Sequence, residues 1–110
     1  MFRGLAYSTA KKYKESMDDF EKALKISPEN PDIIFNRGVV HIENKMFKEA
    51  LDDYTEVIRL DPNNARAFMH RGFAKARLHM PEEEVNQDYA AGRALDPTVA
   101  VPDYNIDNSN

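Results

Sequence analysis

The dipeptide Arg-Gly appears three times at a fixed interval, as Arg3-Gly4, Arg37-Gly38 and Arg71-Gly72, with each glycine 34 residues after the one before. An Asp followed by an aromatic keeps almost the same interval at Asp19-Phe20, Asp53-Tyr54 and Asp88-Tyr89, with spacings of 34 and 35. Pro28, Pro62 and Pro97 repeat those spacings. Self-similarity at a period of this length marks a repeat architecture, in which each unit buries its apolar face only against its neighbours.

Within a unit the apolar residues follow a helical period. Phe20, Ala23, Leu24 and Ile26 fall at three- and four-residue steps, as do Tyr54, Val57, Ile58 and Leu60. Each run ends at a proline, which cannot continue a helix. Asn30 and Asn63-Asn64 follow, suited to turns and helix starts. A second helix precedes each run, over about 32–44 and 66–79, with short polar connections near Lys45 and Met80. Pro81 is expected in the first turn of its helix. The expected fold is all-α, a stack of helical hairpins over residues 1–97 with units of about 1–30, 31–64 and 65–97, and a tail at 98–110 that is flexible or docked.

These residues carry a resemblance to a family. The second unit reads Ile34-x2-Arg37-Gly38-x2-His41, then Ala50-x3-Tyr54, then Pro62; the third reads Phe68-x2-Arg71-Gly72-x2-Lys75, then Val85-x3-Tyr89, then Pro97. The pattern resembles the tetratricopeptide repeat (TPR), a 34-residue helix–turn–helix. The first unit, with Arg3-Gly4-x2-Tyr7, Ser16-x3-Phe20 and Pro28, starts part-way along its own helix. Its opening therefore suggests a fragment, an isoform or a segment of a longer array, and its acid-free start reads better as helix than as a targeting segment. The departures are Arg for the motif Leu in every unit, His41 and Lys75 for an aromatic, Ser16 for Ala, and Gly92 where Ala23 and Val57 stand earlier.

A glycine inside a helix costs about 1 kcal/mol relative to Ala. Repeated in register at Gly4, Gly38 and Gly72, that cost implies close approach of a partner helix. The repeating Arg and Asp, 16 or 17 residues apart, sit on opposite helices of one hairpin. An interhelical ion pair is expected in each unit: Arg3–Asp19, Arg37–Asp53 and Arg71–Asp88.

The resemblance implies a right-handed superhelix whose first helices line a concave groove. Carried over, that wall includes Leu5, Phe35, Asn36, Val39, Ile42, Arg66, Met69, His70, Phe73 and Arg77. The expected function is a non-enzymatic interaction scaffold that takes a short peptide or helix on the apolar anchors Phe35, Val39, Met69 and Phe73. A second reading makes the chain a self-assembling piece of a longer array, stacking through uncapped ends, with nothing in the groove. The family's clamp for chaperone C-terminal tails would use the places held here by Met1, Leu5, Asn36, Arg66 and His70. Only Asn36 matches and Arg66 partly substitutes, so a more apolar ligand is expected.

Composition narrows the classes further. With 15 Lys and Arg against 19 Asp and Glu, the net charge of −4 argues against a nucleic-acid surface, which needs clustered cations. The absence of cysteine excludes disulfides and thiol chemistry. No apolar run is long enough to span a membrane. His41, His70 and His79 have no metal-site spacing, no phosphate loop or nucleophile motif appears, and no cofactor is expected. A cytoplasmic location is compatible with all of this.

Overall fold

A computed structural model describes the backbone of residues 2–102 and the side chains of residues 12–102. Among the described residues five helices and no strands occur: α1 (Phe2–Ile26), α2 (Pro31–Glu43), α3 (Phe47–Leu60), α4 (Ala65–Arg77) and α5 (Glu82–Leu95). None is long and apolar enough to cross a membrane. The helices pack in chain order, each on its successor across α2, α3, α4 and α5, with α1 lying on α2.

The boundaries follow from local chemistry. Asn30 caps α2, its side chain accepting the Asp32 backbone N–H, and Pro31 occupies the first turn, where an amide would have no partner. Asn64 caps α4 by accepting the Ala67 N–H. Pro81 stands one step earlier than expected: it is the residue just before α5, in extended geometry (φ −53°, ψ 135°), and the three glutamates fill the first turn.

Both complete hairpins turn in the same way. Lys45 adopts φ 61° and His79 φ 59°, the left-handed region. The Lys45 and Met46 amides donate back to Ile42 and His41 carbonyls, and those of His79 and Met80 donate to Ala76 and Lys75 carbonyls. This doubly bonded helix end usually carries glycine at the left-handed position. Using Lys and His there costs roughly 1–2 kcal/mol each.

The first unit departs from the expected hairpin. Helix α1 runs unbroken through 10–12, the stretch in register with the turns at 44–46 and 78–80. Ala10, Lys11 and Lys12 are strong helix formers, and this stretch lacks the Asn44 of the second unit and the Pro81 of the third. The expected Arg3–Asp19 pair lies outside the described residues; along the backbone its two positions share one helix instead of facing each other across a hairpin. Sixteen residues of one helix rise about 24 Å. The side chains of Arg3 and Leu5 and the surroundings of Gly4 lie outside the described residues, as do residues 103–110 of the tail.

The core runs between the helices. Ile42, Ala50, Tyr54, Val57, Ala67, Met69 and Ala74 are completely buried, with Ile34, Phe35 and Val85 nearly so. A Cβ added at Gly38 would lie 2.9 Å from the Tyr54 ring, and one at Gly72 would lie 2.7 Å from Tyr89. The in-register glycines are thus the sockets for the in-register tyrosines. Gly92 does the same in reverse: a Cβ there would meet Met69 at 2.7 Å and the Ala65 carbonyl at 3.0 Å.

Candidate functional site

Two kinds of polar structure stand on this frame: buried ion pairs inside the hairpins, and an open face along α2 and α4. In the second unit Arg37 Nε lies 3.1 Å from both oxygens of Asp53, and Nη2 donates to Oδ1 at 2.7 Å. In the third, Arg71 grips Asp88 through Nε and Nη2 at 3.0 and 2.8 Å. Both carboxylates are almost fully buried, with side chains 6% and 5% exposed.

Each aspartate also meets a second basic group that the spacing argument missed. His41 Nε2 lies 3.4 Å from Asp53 Oδ2, and Lys75 Nζ lies 3.1 Å from Asp88 Oδ2. These residues stand four after Arg37 and Arg71, one helical turn along the same face. They are the two positions that depart from the aromatic of the repeat motif, and the signal was present as an i, i+4 basic pair opposite a lone acid. His41 is held from its other side by Tyr13 of α1, whose hydroxyl lies 3.2 Å from Nδ1. A carboxylate gripped by Arg37 can only accept, which favours the tautomer with Nε2–H facing Asp53 and Nδ1 accepting from Tyr13. Burial pushes the His41 pKa down, outweighing the pull of Asp53. Burial likewise pushes the Asp53 carboxyl up against the opposing hydrogen bonds from Arg37.

Between units the joint is aromatic. Phe35, Tyr54 and His70 bring α2, α3 and α4 together, with ring centroids 4.9 to 5.4 Å apart and tilted or edge-on faces. His70 Nδ1 bonds the Arg66 carbonyl at 2.8 Å, so that nitrogen carries the proton. Burial holds the His70 pKa down at about 4.

The expected groove wall is divided by this packing. Ile42 and Met69 are completely buried, and Phe35 is 8% exposed, so none of the three is an open anchor. The reason is helical phase. Phe35 and Ile42, three before and four after Gly38, and Met69, three before Gly72, share their glycine's face, which is turned into the hairpin. His70 also stacks inward on Phe35 and Tyr54, leaving its place in the chaperone-tail pattern filled by a neutral, half-buried ring. Arg77 stacks over Phe47, 5.4 Å from the ring centroid, and is tied to the hairpin surface. Asn36 and Arg66 remain exposed, and Val39 and Phe73 are half-buried.

An open groove of about 410 Å³ lies on this α2–α4 face, lined by Asp32, Phe35, Asn36, Val39, Asn64 and Arg66. Arg66 lies over the Phe35 ring, 4.9 Å from its centroid, so the exposed rim of the aromatic joint is capped by a cation. The face offers an apolar strip flanked by two amides, a guanidinium and a carboxylate. Among the described residues no group of three or more potential ligands could hold a metal.

Comparison with known proteins agrees with this architecture. A tetratricopeptide repeat profile matches residues 31–64 and a TPR repeat profile matches residues 4–45. No curated protein matches significantly. Among solved structures, the first TPR of Spaghetti (RPAP3), bound to the HSP90 peptide SRMEEVD, is 29% identical with a TM-score of 0.74, over 88% of this chain and 76% of that one. The Arabidopsis OM64 TPR domain shares the fold at 24% identity and TM-score 0.75, over 89% and 80%. The Sgt2 TPR domain from Aspergillus fumigatus does so at 23% and 0.72, over 87% and 63%. Repeat register, helical pairing and both profile matches agree: the chain belongs to the tetratricopeptide repeat family.

Proposed function

We propose that the chain is a protein-interaction scaffold whose α2–α4 face takes a short peptide or helix. The observation that carries this reading is the open groove lined by Phe35, Asn36, Val39 and Arg66, which nothing else in the chain covers among the described residues. Val39 and Phe73 supply the apolar contact, Asn36 and Asn64 can bond a ligand backbone, and Arg66 gives one cationic contact. With Met69 and Ile42 committed to the core, the apolar strip is narrower than a row of exposed anchors would be, so affinity should be modest. The Spaghetti domain holds an acidic peptide; here a neutral, half-buried His70 stands where a clamp would need an outward cation, which favours a less acidic ligand.

The test is a titration of the full chain with two labelled peptides, SRMEEVD and an uncharged amphipathic helix of Leu, Ala and Gln. The helix should bind more tightly, and the exposed double change Asn36→Ala/Arg66→Ala should weaken it about tenfold without loss of helicity. Tighter binding of SRMEEVD, or binding indifferent to both substitutions, would move the site elsewhere.

A further inference from the structure

A second surface lies on the other side of the Arg37–Asp53 pair. Helix α1 leans on α2 and stands off from α3, and the space between is an open groove of about 740 Å³. Met17 and Leu24, both half-buried on α1, give it an apolar wall. Its polar lining is Glu21 and Lys25 from α1, Arg37 and His41 from α2, and Glu49, Asp52 and Asp53 from α3.

The charges there do not balance locally. Asp53 is committed to Arg37. Glu21, Glu49 and Asp52 are exposed, and among the described residues none takes part in an ion pair; Lys25 is the one lining cation left to answer them. The remaining acid of α3 is answered: Arg59 bonds Glu56 at 2.6 Å, and it also approaches Glu29, before α2, at 3.8 Å. Three carboxylates without an ion pair thus line one groove, on both of its walls and beside the apolar carbon of Met17 and Leu24.

We propose that this α1–α3 groove is a docking surface for a basic, amphipathic segment of a partner protein, which lays Leu- or Met-like side chains on Met17 and Leu24 and sets Arg or Lys among Glu21, Glu49 and Asp52. The volume is in the range of pockets that hold a few side chains. Arginine suits it best, because its planar fork meets carboxylates two bonds at a time while its stem covers apolar surface. The surface is separate from the α2–α4 face, so one chain could hold two segments at once.

The experiment uses the full chain and a fluorescein-labelled twelve-residue peptide of Arg and Leu in amphipathic order, with a Glu and Leu peptide as control, at about 0.15 M salt. The basic peptide should bind and the acidic one should not. Glu49→Gln/Asp52→Asn should weaken binding about tenfold, whereas Glu82→Gln/Glu83→Gln, equal in charge but on α5, should leave it unchanged. Circular dichroism confirms that each variant keeps its helices. Equal weakening by both double variants would reduce the effect to net charge and overturn the proposal, as would no weakening by either. Light scattering supplies a third outcome: a dimer of the free chain that Glu49→Gln/Asp52→Asn dissolves would make a second copy the occupant and also overturn it.

Discussion

The two complete hairpins are built to one plan and differ in one functional group. Each sets a tyrosine into a glycine socket, bonds an Arg to a buried Asp across the helices, and brings a second basic residue from one turn further along. In the third unit that residue is Lys75, a fixed charge. In the second it is His41, which burial keeps toward the neutral form and which Tyr13 ties to α1. Asp88 thus sits between two cations, while Asp53 is answered mainly by one. The same backbone yields a tightly neutralised pair in one hairpin and a looser one, open to the α1 side, in the other.

Removing the acid should separate them. Asp88→Asn leaves Arg71 and Lys75 facing each other with side chains only 20% and 15% exposed. The expected loss is about 3–5 kcal/mol by urea unfolding. Asp53→Asn leaves Arg37, which is 32% exposed, beside a largely neutral imidazole. Its loss should be about half as large. Equal losses would mean that the second cation contributes nothing.

The joint between the hairpins gives a pH-dependent effect. His70 has a folded pKa of about 4 against 6.5 for the free side chain. Between those values the unfolded chain binds more protons, so stability is full above about pH 6.5 and falls as the pH drops toward 4. The loss attributable to His70 is on the order of 3 kcal/mol. His70→Gln should flatten that part of the stability profile, measured by chemical unfolding between pH 7 and pH 4; a profile of unchanged slope would place the titration elsewhere.

The glycine sockets compare the hairpins in reverse. Gly72→Ala makes the closer approach, but Tyr89 is partly exposed and can swing away. Tyr54 is completely enclosed. Gly38→Ala should therefore cost more, about 2–3 kcal/mol against about 1 for Gly72→Ala, read from melting curves. The smallest change is a gain: His79→Gly relieves a left-handed φ of 59° on an exposed residue and should stabilise by about 1 kcal/mol.

Much of the helical frame was readable from the sequence because a 34-residue register repeats several signals at once: glycine, aromatic, proline and the caps at Asn30 and Asn64. The register failed where a unit keeps the markers and lacks the breaker. Arg3-Gly4 and Asp19-Phe20 promise a hairpin, but Ala10-Lys11-Lys12 offers the helix no reason to stop. At the candidate site, Gly38 and Gly72 lie against the Tyr54 and Tyr89 rings, yet residues in phase with them were assigned to the groove. Phe35, Ile42 and Met69 follow their glycines inward. Residues off that phase keep some exposure: Val39 and Phe73 after each glycine, Asn36 two before the first, and Arg66 six before the second. The second cations escaped because His41 and Lys75 register as departures from a motif, and their purpose is visible only once Asp53 and Asp88 stand opposite them.

The most direct test is a pair of double-mutant cycles, Arg37→Ala with Asp53→Ala and Arg71→Ala with Asp88→Ala, each read as unfolding free energy at pH 7. The account predicts a favourable coupling within both hairpins, with a larger loss for the aspartate change in the third. Coupling near zero in both cycles would contradict it, and so would a larger aspartate loss in the second hairpin than in the third.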